Sequence, residues 1–176
     1  AWLRHTLEAQ TKPSKIAFPS KRDWLWVVSL DRNVYGSSPR MTHSKTKGTL
    51  MSGNITLGII GFGEVGSTFA REFLARGGVS ISTYDILFND PQKGPAKIEL
   101  AKSLGVRPAK SAADASRDAR IVISAVTASN VLDVAAEAAG YLNQGQLFFD
   151  INSASPVTKK TAAGKVNASH AKYVEG

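Results

Sequence analysis

An α/β fold with a doubly wound, mainly parallel sheet is predicted by three features of this 176-residue chain. Short β-branched runs alternate with helical patterns from Ile55 to the last residues. An apolar strand runs straight into Gly61-x-Gly63-x-x-Gly66, and a helical pattern follows at once. Residues 120–126 (Arg-Ile-Val-Ile-Ser-Ala-Val) are a nearly continuous apolar run, as in a central strand covered on both faces.

The glycine corner is the most informative element. Gly61 lets the chain turn tightly off the strand. Gly63 lacks a side chain, so a pyrophosphate can approach the backbone. Gly66 lets the helix lie close to the strand. The N–H groups opening the helix, on Phe62, Gly63, Glu64, Val65 and Gly66, then face the phosphates, with the positive end of the helix dipole behind them. Val65, Phe69 and Phe73, with Ala70 and Leu74 beside them, read as the apolar helix face. Arg76-Gly77-Gly78 ends the helix. Val79, Ile81 and Thr83 alternate with polar neighbours as a second strand. Asp85 closes that strand, where a carboxylate accepts hydrogen bonds from the adenosine ribose hydroxyls and disfavours a 2′-phosphate, a repulsion that Lys93 and Lys97, nearby in sequence, could soften. Strand, glycine turn, helix, strand and acid stand in the order of a Rossmann-type dinucleotide site, with NAD as the expected cofactor and NADP as the alternative.

Further along, residues 88–94 read as a loop and 96–104 as a helix stopped by Gly105. A short strand follows Val106, and residues 112–116 form a short helix. Residues 129–139 form an alanine-rich helix ended by Gly140. Residues 146–150 are a strand, 156–166 a helix with Pro156 at its start, and Lys172-Tyr173-Val174 open a last strand. Strand ends at Gly61, Asp85, Val126-Thr127 and residues 150–153 should converge on one crevice beyond the sheet. On this reading the sheet is incomplete at the C-terminus.

Composition bounds the alternatives. There is no cysteine, which removes disulfide and thiol chemistry and fits a cytoplasmic protein. No apolar run approaches the roughly 20 residues that span a bilayer, and no metal site is expected. The net charge of +8 is concentrated. Residues 1–50 hold nine Lys/Arg against three Asp/Glu, while 51–176 hold thirteen against eleven. All three tryptophans, Trp2, Trp24 and Trp26, lie in that first part. Its Lys, Ser, Thr and Pro content reads as a largely irregular, non-native basic extension, and Met51 reads as the natural start of a dinucleotide-binding domain over 51–176. A targeting peptide and a basic arm for nucleic acid are the alternatives for 1–50. No nucleic-acid-reading module supports the second.

Residues 150–158 (Asp-Ile-Asn-Ser-Ala-Ser-Pro-Val-Thr) resemble the Asp-x-Ser/Asn-Ser/Thr-x-x-Pro signature of the β-hydroxyacid dehydrogenases. That family acts on 3-hydroxyisobutyrate, tartronate semialdehyde and 6-phosphogluconate. The glycine turn and the run at 123–127 are similar to the family's as well, and the closest look is to its 6-phosphogluconate-dehydrogenase-like NAD-binding branch. The resemblance implies an oxidoreductase moving hydride between a nicotinamide and a small β-hydroxy acid. It implies that Gly61, Gly63 and Gly66 hold the pyrophosphate and Asp85 the ribose. Val126 and Thr127 line the nicotinamide side, and Asn152 and Ser153 face substrate and nicotinamide. Ser155 suits the cap of the following helix, which leaves Ser153 free for a ligand. No catalytic residue is assigned, because the family's lysine acid/base lies in a later helical region beyond Gly176. Lys159, Lys160, Lys165 and Lys172 read as solvated faces and His170 as a surface residue. The C-terminal helical domain, which in the family forms most of a homodimer, is absent, so this chain alone is expected to be inactive. A non-catalytic NAD-sensing domain on the same fold is the second reading. Nucleic-acid binding through 1–50 is the third.

Overall fold

The structure, a computed structural model, describes residues 54–176. The readings made for the basic extension 1–50 and for Met51 lie outside the described residues.

Six strands form one sheet: β1 (Ile55–Ile60), β2 (Val79–Tyr84), β3 (Arg107–Pro108), β4 (Ile121–Ser124), β5 (Leu147–Asp150) and β6 (Lys172–Glu175). Their order is β3-β2-β1-β4-β5-β6, and every pairing is parallel. The helices are α1 (Glu64–Arg76), α2 (Gly94–Ser103), α3 (Ala112–Ser116), α4 (Val131–Tyr141) and α5 (Pro156–Asn167). Parallel strands need crossovers, and these helices supply them. The doubly wound Rossmann-type sheet expected from the sequence is therefore present.

Strand alternation sorts the apolar side chains into two cores. Leu57, Ile59, Ile81 and Ile123 face one way and meet Ala70 of α1 and Ala101 of α2. Ile60, Val122 and Phe148 face the other way and meet Ala112 and Ala115 of α3, Ala135 and Ala138 of α4, and Ala162 and Val166 of α5. Alanines at the helix contacts let the backbones approach closely. β1 and β4 are neighbours, with Ile60 beside Ser124. The chain winds outward from that seam in both directions, so the crevice lies at the ends of β1 and β4.

Several sequence expectations need correction. Val65 is not on the core face: it is 51% exposed, and the helix face against the sheet is carried by Gly66 and Ala70, with Phe73 and Leu74 beside them. The helix axis is set by the close approach at Gly66, which rotates Val65 outward. Residues 88–94 are not simply loop. Ile86–Asn89 make a 3₁₀ turn capped by Asp85, and Gly94 already belongs to α2. Gly140 does not end α4, which runs on to Tyr141, because buried Leu142 anchors its last turn and donates to the Ala138 carbonyl. A 3₁₀ turn at Ala128–Asn130 replaces the expected helix start near Ser129.

The corner itself is made of glycine contacts. Gly61 has φ +93°, and a Cβ there would lie 2.3 Å from the Ala125 carbonyl oxygen. A Cβ on Gly66 would lie 2.1 Å from the Gly61 carbonyl oxygen. Backbone must move in either case. Gly66→Ala is expected to cost roughly 1–3 kcal/mol through overpacking against main chain, read as a lowered midpoint in urea denaturation. A midpoint equal to wild type would show that this contact does not set the corner.

Candidate dinucleotide site

The corner between β1 and α1 is held by its neighbours. Gly61 N–H donates to the Tyr84 carbonyl at 2.8 Å, and Ala125 N–H donates to the Ile60 carbonyl at 2.8 Å. Phe62 N–H donates to Asp85 Oδ2 at 2.7 Å. The ends of β2 and β4 are thereby stitched to the glycine turn from both sides. Gly63 is the N-cap of α1 and supplies no side-chain cap. Among the described residues, no acceptor engages the N–H groups of Gly63, Glu64, Val65 or Gly66. Those four donors stand at the positive end of the dipole of a 13-residue helix. Gly63 is exposed, and a Cβ built on it would meet nothing within 4 Å. The space that a side chain would fill is open, in contrast to Gly61 and Gly66. The corner therefore fits a diphosphate by its own geometry: free donors, a bare backbone and room.

Phe62 has a different role from its neighbours. Its ring is buried in the core edge-on to Phe88, and its N–H is taken by Asp85. It shapes the turn and offers a ligand nothing polar.

Asp85 is buried at the end of β2. Besides Phe62 N–H on Oδ2, its Oδ1 accepts from Leu87 N–H at 2.9 Å. Lys97 Nζ of α2 stands 3.4 Å from Oδ2 and donates to the Phe62 carbonyl at 2.9 Å. The carboxylate thus pins the glycine turn, a duty the sequence reading missed.

On the far side of the seam, Val126 is half-buried and Thr127 exposed. Thr127 Oγ1 lies 3.1 Å from Ser129 Oγ, so the turn after β4 presents paired hydroxyls. Asn152 was expected to face both ligands, but it is buried and its amide points inward. Its Oδ1 accepts from Val126 N–H at 2.6 Å. Its Nδ2 donates to Ser124 Oγ at 2.9 Å and to Asp150 Oδ1 at 2.6 Å. Both N–H bonds are spent inside, so Asn152 shapes the site by fixing Val126. Ser153 is exposed beside it. Ser155 caps α5, its Oγ accepting from Thr158 N–H at 3.2 Å, which leaves Ser153 uncommitted as the sequence implied.

Lys159 corrects another expectation. It is 4% exposed rather than solvated. Its Nζ lies 3.2 Å from Asp150 Oδ1 and donates to the Asp150 carbonyl at 2.9 Å. Asp150, fully buried, also accepts from Tyr173 Oη on Oδ2 at 2.6 Å. Burial first, then the bond to Asp150, pushes the Tyr173 phenol above its ordinary range. One carboxylate thereby gathers α5, β6 and Asn152. The signal was in the sequence: Lys159, Ala162 and Val166 share the buried stripe of α5. Lys160, Lys165, Lys172 and His170 are exposed as read.

A six-stranded parallel sheet with this corner and an acid closing the second strand is an NAD(P)-binding Rossmann domain of the hydroxyacid-dehydrogenase-like oxidoreductases. The profile of the family described as "NADP oxidoreductase coenzyme F420-dependent" matches residues 56–154, more than half of the chain, and the chain belongs to that family.

Solved structures agree. A conserved hypothetical protein from Sinorhizobium meliloti 1021 superimposes with TM-score 0.67 at 35% identity, covering 70% of this chain and 41% of that one. A conserved protein of unknown function, described as structurally similar to 3-hydroxyacid dehydrogenases, gives TM-score 0.56 at 32% identity, covering 68% and 42%. Mycobacterium tuberculosis 3-hydroxyisobutyrate dehydrogenase with L-serine gives TM-score 0.61 at 18% identity, covering 69% and 39%, a likeness of fold. An uncharacterized 28.5 kDa protein of Methanothermus fervidus is 37% identical over 103 residues, 58% of this chain and 38% of its own length. The chain spans about two fifths of the length of these relatives. Among the described residues no helix is long and apolar enough to cross a membrane.

The two kinds of glycine separate fold from binding. Gly63→Ala should leave the thermal midpoint unchanged while weakening dinucleotide binding at least about tenfold, measured by fluorescence titration with NADH. A variant that binds as wild type does would remove the diphosphate from this corner. Lys159→Met leaves Asp150 buried and uncompensated, so it should cost roughly 3–5 kcal/mol. Urea denaturation monitored by far-ultraviolet circular dichroism measures the loss.

Proposed function

We propose that this chain is the cofactor-binding part of an oxidoreductase that moves hydride between a nicotinamide and a small β-hydroxy acid. The observation that carries the cofactor half is the open space over Gly63 beneath four unengaged N–H groups. The bound nicotinamide would supply the hydride chemistry, and the chain's residues would orient it. On this reading Gly61, Gly63 and Gly66 make the diphosphate corner, with Glu64 and Val65 contributing N–H groups. Asp85 offers its remaining acceptor capacity to the ribose, and its carboxylate taken by itself would favour NAD over NADP. Val126 and Thr127 line the nicotinamide side, while Asn152 holds Val126 in place. Ser153 faces the substrate hydroxyl or carboxylate.

Residues 51–176 form this domain in the proposal, and 1–50 a separate basic extension. On this reading no lysine of the last helix and strand moves the hydroxyl proton. Lys159 is committed to Asp150, and the other lysines of the last helix and strand are exposed. The acid/base and a helical partner domain, with a homodimer formed through it, belong to a longer protein. The exposed side chains of Val65, Ile86 and Val157 near the strand ends are consistent with a covered crevice in that protein.

Two measurements test the reading. Titration of the chain with NADH should enhance and blue-shift the nicotinamide fluorescence with saturation. Incubation with NAD and a panel of β-hydroxy acids should give no NADH. Saturable binding without turnover is the expected pair, and turnover by this chain alone would contradict the placement of the acid/base elsewhere.

A further inference from the structure

The pairing of Asp85 with Lys97 bears on which dinucleotide the corner accepts. A bare carboxylate at the end of β2 would select against a 2′-phosphate by like-charge repulsion. Here the carboxylate is not bare. Lys97 Nζ lies 3.4 Å from Asp85 Oδ2, and the two side chains are 23% and 10% exposed, so the pair is partly shielded from solvent. The same ammonium donates to the Phe62 carbonyl at 2.9 Å. Phe62 N–H and Leu87 N–H occupy both carboxylate oxygens from the main chain. Two of the three ammonium N–H groups are thus used within the protein, and the third is uncommitted. α2 begins at Gly94, whose Cβ would lie 2.5 Å from the Phe88 carbonyl, so Lys97 in the first turn is held by a tight backbone contact. The positive charge sits where it is by construction of the fold.

We propose that Lys97 is the specificity-determining residue of the cofactor site. It cancels the Asp85 charge and offers its free N–H to a 2′-phosphate, so that the corner admits NADP alongside NAD. This rests on the dinucleotide reading of the glycine corner. Without Lys97, Asp85 would act as an uncompensated acid and NADP would be excluded.

The test compares NADH and NADPH affinities by fluorescence titration of the full chain. Wild type should bind the two within about tenfold of each other. Lys97→Gln removes the charge yet keeps a donor for the Phe62 carbonyl, so its thermal midpoint should stay close to wild type. Its NADPH affinity should fall at least about tenfold with NADH affinity unchanged or improved. Lys97→Arg should restore NADPH binding. Equal losses for both cofactors in Lys97→Gln would make Lys97 a structural staple and overturn the inference. An unmoved NADPH-to-NADH ratio would overturn it too. If folded wild type binds neither cofactor, the dinucleotide reading itself fails, and this inference fails with it.

Discussion

Main chain touching main chain at one bend governs this molecule. Gly61 abuts the Ala125 carbonyl, and Gly66 abuts the carbonyl of Gly61 itself. Those two contacts bring β1, β4 and α1 together with no side chain between them. The N–H groups at the start of α1 lack intrahelical acceptors, as in the first turn of any α-helix, and Gly63 leaves them without a side-chain cap. The unsatisfied donors are acceptable at the surface, where water or an anion meets them. The tight corner fixes where the start of α1, with its uncapped donors, stands against the strand ends.

Around that corner the strand ends are tied by a small number of polar links. Asp85 reaches back to Phe62, and Asn152 reaches across to Val126. Asp150 joins Asn152, Lys159 and Tyr173. The Asp85–Phe62, Asn152–Val126 and Asp150–Tyr173 links each join adjacent strands, so the crevice wall is tied from neighbour to neighbour along the sheet. Burying the Asp150–Lys159 pair costs desolvation, and short hydrogen bonds on both carboxylate oxygens offset it. Such a pair tolerates little rearrangement, which keeps the turn after β5 in one conformation.

Much of this was legible in the chain. Period-two strands and glycine-terminated helices gave the parallel winding, and the spacing of Gly61, Gly63 and Gly66 located the corner. α3 at Ala112–Ser116 and the start of α5 at Pro156 fell where local pattern put them. The misses share a cause. Val65 sits at an apolar helical spacing, yet the demand for contact at Gly66 turned it outward. Lys159 looked solvated by residue type, although its place three before Ala162 marked it as inward. Asn152 looked like a ligand group by motif, but tertiary partners took its hydrogen bonds. Lys93 and Lys97 were both legible as cations near Asp85, but that Lys97 reaches the carboxylate depends on how α2 is seated. Local pattern reports backbone shape well. Where a polar side chain is spent depends on neighbours that only the folded chain supplies.

The adjacency of β1 and β4 has a consequence for biogenesis. As the chain emerges from the ribosome, β1 can pair with β2 early, but its other edge waits until Ile121–Ser124 has been made. Through that interval Leu57–Ile60 presents unpaired amides and carbonyls on an apolar strand, the kind of edge that recruits stray partners. Closure of the long excursion between them is slow relative to local helix formation. The vulnerable period in the life of this protein is thus its synthesis, before the second half of the sheet arrives.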